Sequence, residues 1–213
     1  MSHTFQNSLT HRYYQYALLL GIFTVVYNLG EGIVSIMFGL QDETLALFGF
    51  GIDSFIECLS GLGIIAMIWR IQRNPDAPKS PFEKTALNIT GTSFYLLALG
   101  LFASAAVNIY TQHKPETTVS GVIISLISIA VMWLLVRAKI HVGQQLASAP
   151  ILADAACTRV CISMSVVLLA SSIIYQLTGF GFIDSLGALG LIYLSIQEGR
   201  ESFEKARGVD TCS

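Results

Sequence analysis

Charge is what this sequence has least of. Only 12% of its 213 residues are Asp, Glu, Lys or Arg, against about 25% in a typical soluble domain. The net charge is -2, and no basic patch exists outside the ends of the loops, which excludes a nucleic-acid role. Residues 1–12, MSHTFQNSLTHR, show no basic stretch followed by a short apolar core and a small-residue cleavage site, so they are not a secretory signal. His3 and His11 are read there as part of a solvated tail. No glycine-rich nucleotide loop, nucleophile elbow or CxxC pair is present. No enzyme activity and no resident cofactor are expected.

Apolar residues fill the space that charge leaves. They make up 53% of the chain, and the mean hydropathy is +0.63. The expected fold is an all-α integral membrane protein of six transmembrane helices. The spans run over about Tyr13–Met37, Leu45–Trp69, Thr85–Ile109, Val119–Val136, Ile151–Leu177 and Phe180–Ile196. Residues 1–12 form an N-terminal tail, 13–203 the transport domain and 204–213 a short C-terminal tail. From Gln197 onward the chain is charged and can prolong the sixth helix out of the membrane.

The few basic residues are unevenly placed. Arg12, Arg70, Arg73, Lys79, Lys84, Arg137, Lys139, Arg200, Lys205 and Arg207 fall on one side of a six-span layout, Lys114 alone on the other, and Arg159 inside the fifth span. Excess Lys and Arg marks the cytosolic face. Both termini are therefore expected in the cytosol, with the plasma (inner) membrane as the location.

The second span is the one that breaks the apolar rule. Its 25 residues, LALFGFGIDSFIECLSGLGIIAMIW, exceed the roughly 20 needed to cross a bilayer, yet Asp53 and Glu57 lie inside it. An acid at membrane depth costs on the order of 2.5 kcal/mol or more. Four residues apart, these two stack on one helical face, where like charges must share protons or share a cation. Protonated carboxyls bonded to a neighbouring helix are the alternative; the stacked pair favours the cation. Glu31 in the first span stands one turn from Asn28.

A second polar stripe runs down the fifth span, ILADAACTRVCISMS. Asp154, Cys157, Thr158, Cys161 and Ser165 follow the spacing of one helical face. Free cysteines commonly act as small buried hydrophobes. Here Cys157 and Cys161 repeat the four-residue spacing of Asp53 and Glu57, and two carboxylates with two thiols can form a tetrahedral site for zinc or a softer metal. Cys58 lies about 100° from Glu57 on the same helix and is read as packing. Arg159 points off the stripe, and Asp184 is read as a cap at the start of helix six.

These stretches resemble the cation diffusion facilitators. LADAACTRVCIS looks like that family's fifth-helix motif, roughly A-D-A-x-H-x-R-S-D, and D-S-F-I-E from Asp53 to Glu57 looks like its second-helix D-x-x-x-D. FIDSLGALGLIYLSIQEGRES is similar to its sixth helix. The resemblance implies export of divalent metals, mostly zinc, by proton antiport from a site between helices two and five. It implies Asp53, Glu57, Cys157 and Cys161 as ligands, the two cysteines standing where the family has His and Asp. Thiols in those places soften the site toward cadmium. Asp154 and Asp184 match acids that are not usual ligands; with Glu31, which departs from the family pattern, they are accessory candidates.

The family's cytosolic metal-binding domain is expected to be absent, since 17 residues follow the sixth span, and no histidine-rich loop joins spans four and five. The family pairs its protomers largely through that domain, so a weak homodimer held by membrane helices is expected. Partners are then metal ions, protons and the lipid bilayer. Two other functions fit the same residues: a membrane metal-binding regulator that does not transport, and a thiol-redox protein using Cys157 and Cys161.

Overall fold

The structure, a computed structural model, describes residues 2–41, 45–74, 78, 80–111, 119–178 and 182–208. Six helices follow in order: α1 Ser2–Gln41, α2 Leu45–Arg73, α3 Ser80–Thr111, α4 Val119–Gln145, α5 Ala149–Thr178 and α6 Phe182–Gly208. Each satisfies its own backbone hydrogen bonds, the condition for lying in lipid. Five contain stretches long and apolar enough to cross a membrane: Thr10–Phe38, Phe48–Arg73, Ser80–Val107, Gly121–Gln145 and Ala149–Val167. The sixth helix packs along α3 and α5. Asp42, Glu43, Lys79, Lys114 and Cys212 lie outside the described residues, as does the side chain of Asp184.

Two helices differ in length from the sequence reading. α1 begins at Ser2, so the polar N-terminal stretch continues the first helix. α4 runs on to Gln145, well past Val136. The segment read as a loop after span four is therefore mostly helix, and it carries Lys139 inward.

The α4–α5 connection is very short. Leu146 N donates to Val142 O at 3.0 Å, and Ser148 N to Gly143 O at 2.9 Å. These bonds close the end of α4 as a C-terminal capping turn does. Ala147 takes the left-handed conformation, φ 48°, which is costly for a residue with a Cβ. Leu152 N donates to Ser148 O at 3.2 Å, the opening bond of α5. A turn this tight fixes the register of the antiparallel pair. It sets Gly143 against Ile151 and Leu152 and Lys139 against Asp154.

α1 and α2 approach most closely at a glycine pair. A Cβ on Gly51 would stand 2.7 Å from Ile36 Cγ1 and 2.9 Å from Gly32 O, and one on Gly32 would stand 3.0 Å from Gly51 O. Gly49 and Gly190 are not such points of approach: among the described residues a Cβ on Gly49 meets only Ser104 Oγ at 3.7 Å, and one on Gly190 meets nothing within 4 Å.

α2 and α5 are the most enclosed spans, with 61% and 67% of their apolar stretches buried. The interior is layered. One apolar cluster joins Phe50, Phe94, Leu101, Met132, Val160 and Leu191. A second joins Ile64, Met67, Ile68, Ala86, Val142 and Ile151. Along α2, α3, α4 and α5 alike, buried polar residues fall between the two: Glu57 and Ser60, Thr90, Lys139 and Asp154, with Thr158 one turn further along α5.

Candidate metal site

The stripes on α2 and α5 face the same interior. Asp53 is 6% exposed, Glu57 0%, Cys157 1% and Cys161 3%. All four are thus removed from lipid and water, on the two helices best enclosed by the rest. Thr158 Oγ1 donates to Glu57 Oε1, tying α5 to α2 one residue after Cys157. Cys161 lies within electrostatic reach of Cys157, Glu57 and Asp53. Asp53 faces α3, its Oδ1 3.7 Å from where a Cβ on Gly100 would stand. Cys157 and Cys161 are free thiols, built into the edge of the first apolar cluster.

The four side chains share one compartment without closing on a common point. Among the described residues, no three His, Cys, Asp or Glu side chains are drawn together tightly enough to hold a metal ion. Glu57 is held toward Thr158, and Glu57 Oε2 has no hydrogen-bond partner among the described residues.

Asp154 belongs to a different set of contacts. Its Oδ2 lies 2.8 Å from Lys139 Nζ, with both side chains buried, and its Oδ1 accepts from Ser60 Oγ at 2.7 Å. Ser60 has one hydroxyl proton. With that proton on Asp154, the 3.0 Å contact between Ser60 and Thr90 is a donation from Thr90. Each oxygen of Asp154 therefore has a partner within the chain.

Glu31 is likewise engaged at both oxygens. Tyr27 OH donates to Oε1 at 3.1 Å and Ser54 Oγ to Oε2 at 3.0 Å, within electrostatic reach of Glu57. Glu31 thus binds α1 to α2 beside the four candidate ligands rather than among them. Cys58 packs as expected, its Sγ 3.6 Å from Val25 O across the same helix pair. Arg159 lies on the exposed face of α5.

Lys139 is the residue that sequence reasoning missed. Counted among the basic loop residues, it is 1% exposed and reaches both Asp154 and Thr158, the latter at 3.0 Å. The sequence does hold a signal for it. Lys139 and Asp154 lie nearly equidistant from the one break between spans four and five, and an antiparallel hairpin brings such positions together.

A bundle of long apolar helices around buried acids, thiols and a lysine defines a multi-pass membrane protein, and ionisable groups inside such a bundle mark a functional site. The family follows from the chain as a whole. Residues 18–208 match the cation efflux transmembrane domain; the chain belongs to that family, whose members are metal cation transporters. A search of curated proteins found no match.

Proposed function

We propose that this protein exports a divalent metal ion, zinc or the softer cadmium, from the cytosol in exchange for protons, with Asp53 and Glu57 of α2 and Cys157 and Cys161 of α5 as its ligands. The observation that carries this reading is the Thr158–Glu57 bond. It joins the two enclosed helices at one proposed ligand, Glu57, and at the residue next to another, Cys157.

Exchange follows from charge. Two carboxylates and two thiolates sum to four negative charges, of which one divalent ion cancels two. The remainder is expensive at membrane depth, so the metal-free site holds protons. Thiols coordinate as thiolates, and metal arrival expels the protons. Soft thiolates favour zinc and cadmium over manganese and magnesium. Alternation of the site between the two faces is the rocking of helix groups known for secondary transporters.

The orientation proposed places both termini and the Arg70–Lys84 segment in the cytosol. The basic asymmetry supports it, carried by the basic residues other than the buried Lys139; two stacked pairs mark an interface without choosing its side. Arg73 lies 4.1 Å from the Trp69 ring near the end of α2, and Arg137 lies 3.9 Å from the Trp133 ring in the latter half of α4. Tryptophan rings anchor at the interface, and arginines beside them reach to water. A homodimer held by membrane helices completes the proposal.

The test is metal flux into sealed vesicles carrying the purified protein, with internal pH recorded. Zinc- or cadmium-dependent proton movement is the expected result, and Asp53→Ala should abolish it by removing an anionic ligand. Flux that persists in Asp53→Ala at the parental rate refutes the site. Metal binding by the parent without flux makes it a metal-binding regulator instead.

A further inference from the structure

Lys139 is among the largest fully buried side chains of the protein, and α4 supplies none of the four ligands proposed above. An ammonium group has three donors and no acceptor. One goes to Asp154 Oδ2 at 2.8 Å and one to Thr158 Oγ1 at 3.0 Å. Because the Thr158 oxygen accepts from lysine, its single proton is free to point away, and it points to Glu57 Oε1. A competing acceptor lies close by. The backbone oxygen of Asp154 is 3.3 Å from the same hydroxyl, and threonine in a helix readily bonds back to the carbonyl four residues earlier. The ammonium on the lone-pair side favours the outward orientation.

The consequence falls on Glu57. One carboxylate oxygen is fixed by Thr158, and the other, Oε2, is buried without a hydrogen-bond partner among the described residues. An unsatisfied buried acceptor carries a full desolvation penalty. A cation relieves it.

We propose that Lys139 is a positioning residue of the metal site: acting through Thr158, it holds Glu57 with one oxygen tied and the other free to take the cargo. The proposal rests on Asp53, Glu57, Cys157 and Cys161 being the metal site. Asp154 has the complementary task. It cancels the lysine charge locally, so that the ammonium orients Glu57 without repelling the arriving divalent ion at full strength.

The experiment separates positioning from folding and from the site reading. Purified protein is titrated with cadmium, followed by cadmium–thiolate absorbance, and vesicle uptake gives KM and kcat. The variants are Thr158→Val, Thr158→Ser and the neutral pair Lys139→Met with Asp154→Asn. Thr158→Val keeps the Lys139–Asp154 ion pair and removes only the relay. It should raise both the cadmium dissociation constant and KM about tenfold with kcat little changed, while Thr158→Ser stays within about twofold of the parent. The double variant should show the same rise, because the hydroxyl is then released to bond backward. Parental affinity in Thr158→Val, or in a folded double variant, overturns the proposal and leaves the site standing. If the double variant does not fold, parental affinity in Thr158→Val still overturns the proposal. Absence of cadmium–thiolate absorbance in the parent itself refutes the site reading and the proposal with it.

Discussion

Replacing Gly51 by alanine adds one methyl group at the tightest point of the α1–α2 interface, and the geometry sets the cost. The new Cβ would lie 2.7 Å from Ile36 Cγ1, 2.9 Å from Gly32 O and 3.0 Å from Ile36 N. An unstrained carbon–carbon contact is about 3.5–4.0 Å. The isoleucine side chain can turn away, but the other two atoms are backbone. They retreat only if α1 moves as a body, by about half an ångström or more. Overpacking of this kind costs typically ~1–3 kcal/mol. Against it stands the gain in helix propensity, roughly 0.5–1 kcal/mol for glycine to alanine.

The net expectation is destabilisation by about 1–2 kcal/mol, a fall of several degrees in the melting temperature for a chain of this size. Gly49→Ala is the internal control. Among the described residues its Cβ meets only Ser104 Oγ at 3.7 Å, so the propensity gain is left unopposed and stability should hold or rise by up to ~1 kcal/mol. Melting of the detergent-purified proteins, followed by size-exclusion chromatography of heated samples, reads both. If Gly51→Ala and Gly49→Ala melt together, close backbone approach at Gly32–Gly51 is not what holds α1 to α2.

Converting Cys157 and Cys161 together to serine should weaken cadmium binding more than zinc binding, measured by competition titration; parental cadmium affinity would make the cysteines packing residues. Restoring the commoner ligands with Cys157→His and Cys161→Asp should shift preference toward zinc. A cysteine introduced at the exposed Asn74 should react with impermeant maleimide only after the cells are opened, and labelling of intact cells would invert the topology. Ala147→Gly should raise stability by about 0.5 kcal/mol or more, since φ 48° strains a residue with a Cβ and not glycine; a melting point at or below the parent's would show that the turn relaxes at no cost.

Some of this was readable from the residues because its cause is one-dimensional. Bilayer thickness demands long apolar runs, and five helices carry them. Helical spacing alone put Asp53 with Glu57 and Cys157 with Cys161, and the buried faces follow that spacing. Pairing between helices was not readable. Glu31 looked like a third acid for the interior, and only the approach of α2 shows its oxygens taken by Tyr27 and Ser54. Lys139 misled for a more particular reason. A lysine just after an apolar run reads as the edge of the membrane, and here the helix continues past it to Gln145. What turned it inward is an acid on the next helix and a turn short enough to place the two side by side, neither of which a window over α4 contains.

The tight α4–α5 turn also bears on how the chain reaches the bilayer. A lone lysine or aspartate at the centre of a helix in lipid costs about 2.5–3.5 kcal/mol on the insertion scale; Lys139 and Asp154 lie nearer the ends of their helices, where the cost is smaller, and each of two consecutive helices carries one. Because Ala147 and its neighbours reverse the chain within a few residues, Lys139 and Asp154 can meet while both helices are still at the membrane surface. Pairing there would let the two helices enter as a single neutral hairpin, a demand on the making of the protein in addition to the one on its working. Lengthening the turn would leave the finished site unchanged on paper while exposing two uncompensated charges to the insertion machinery.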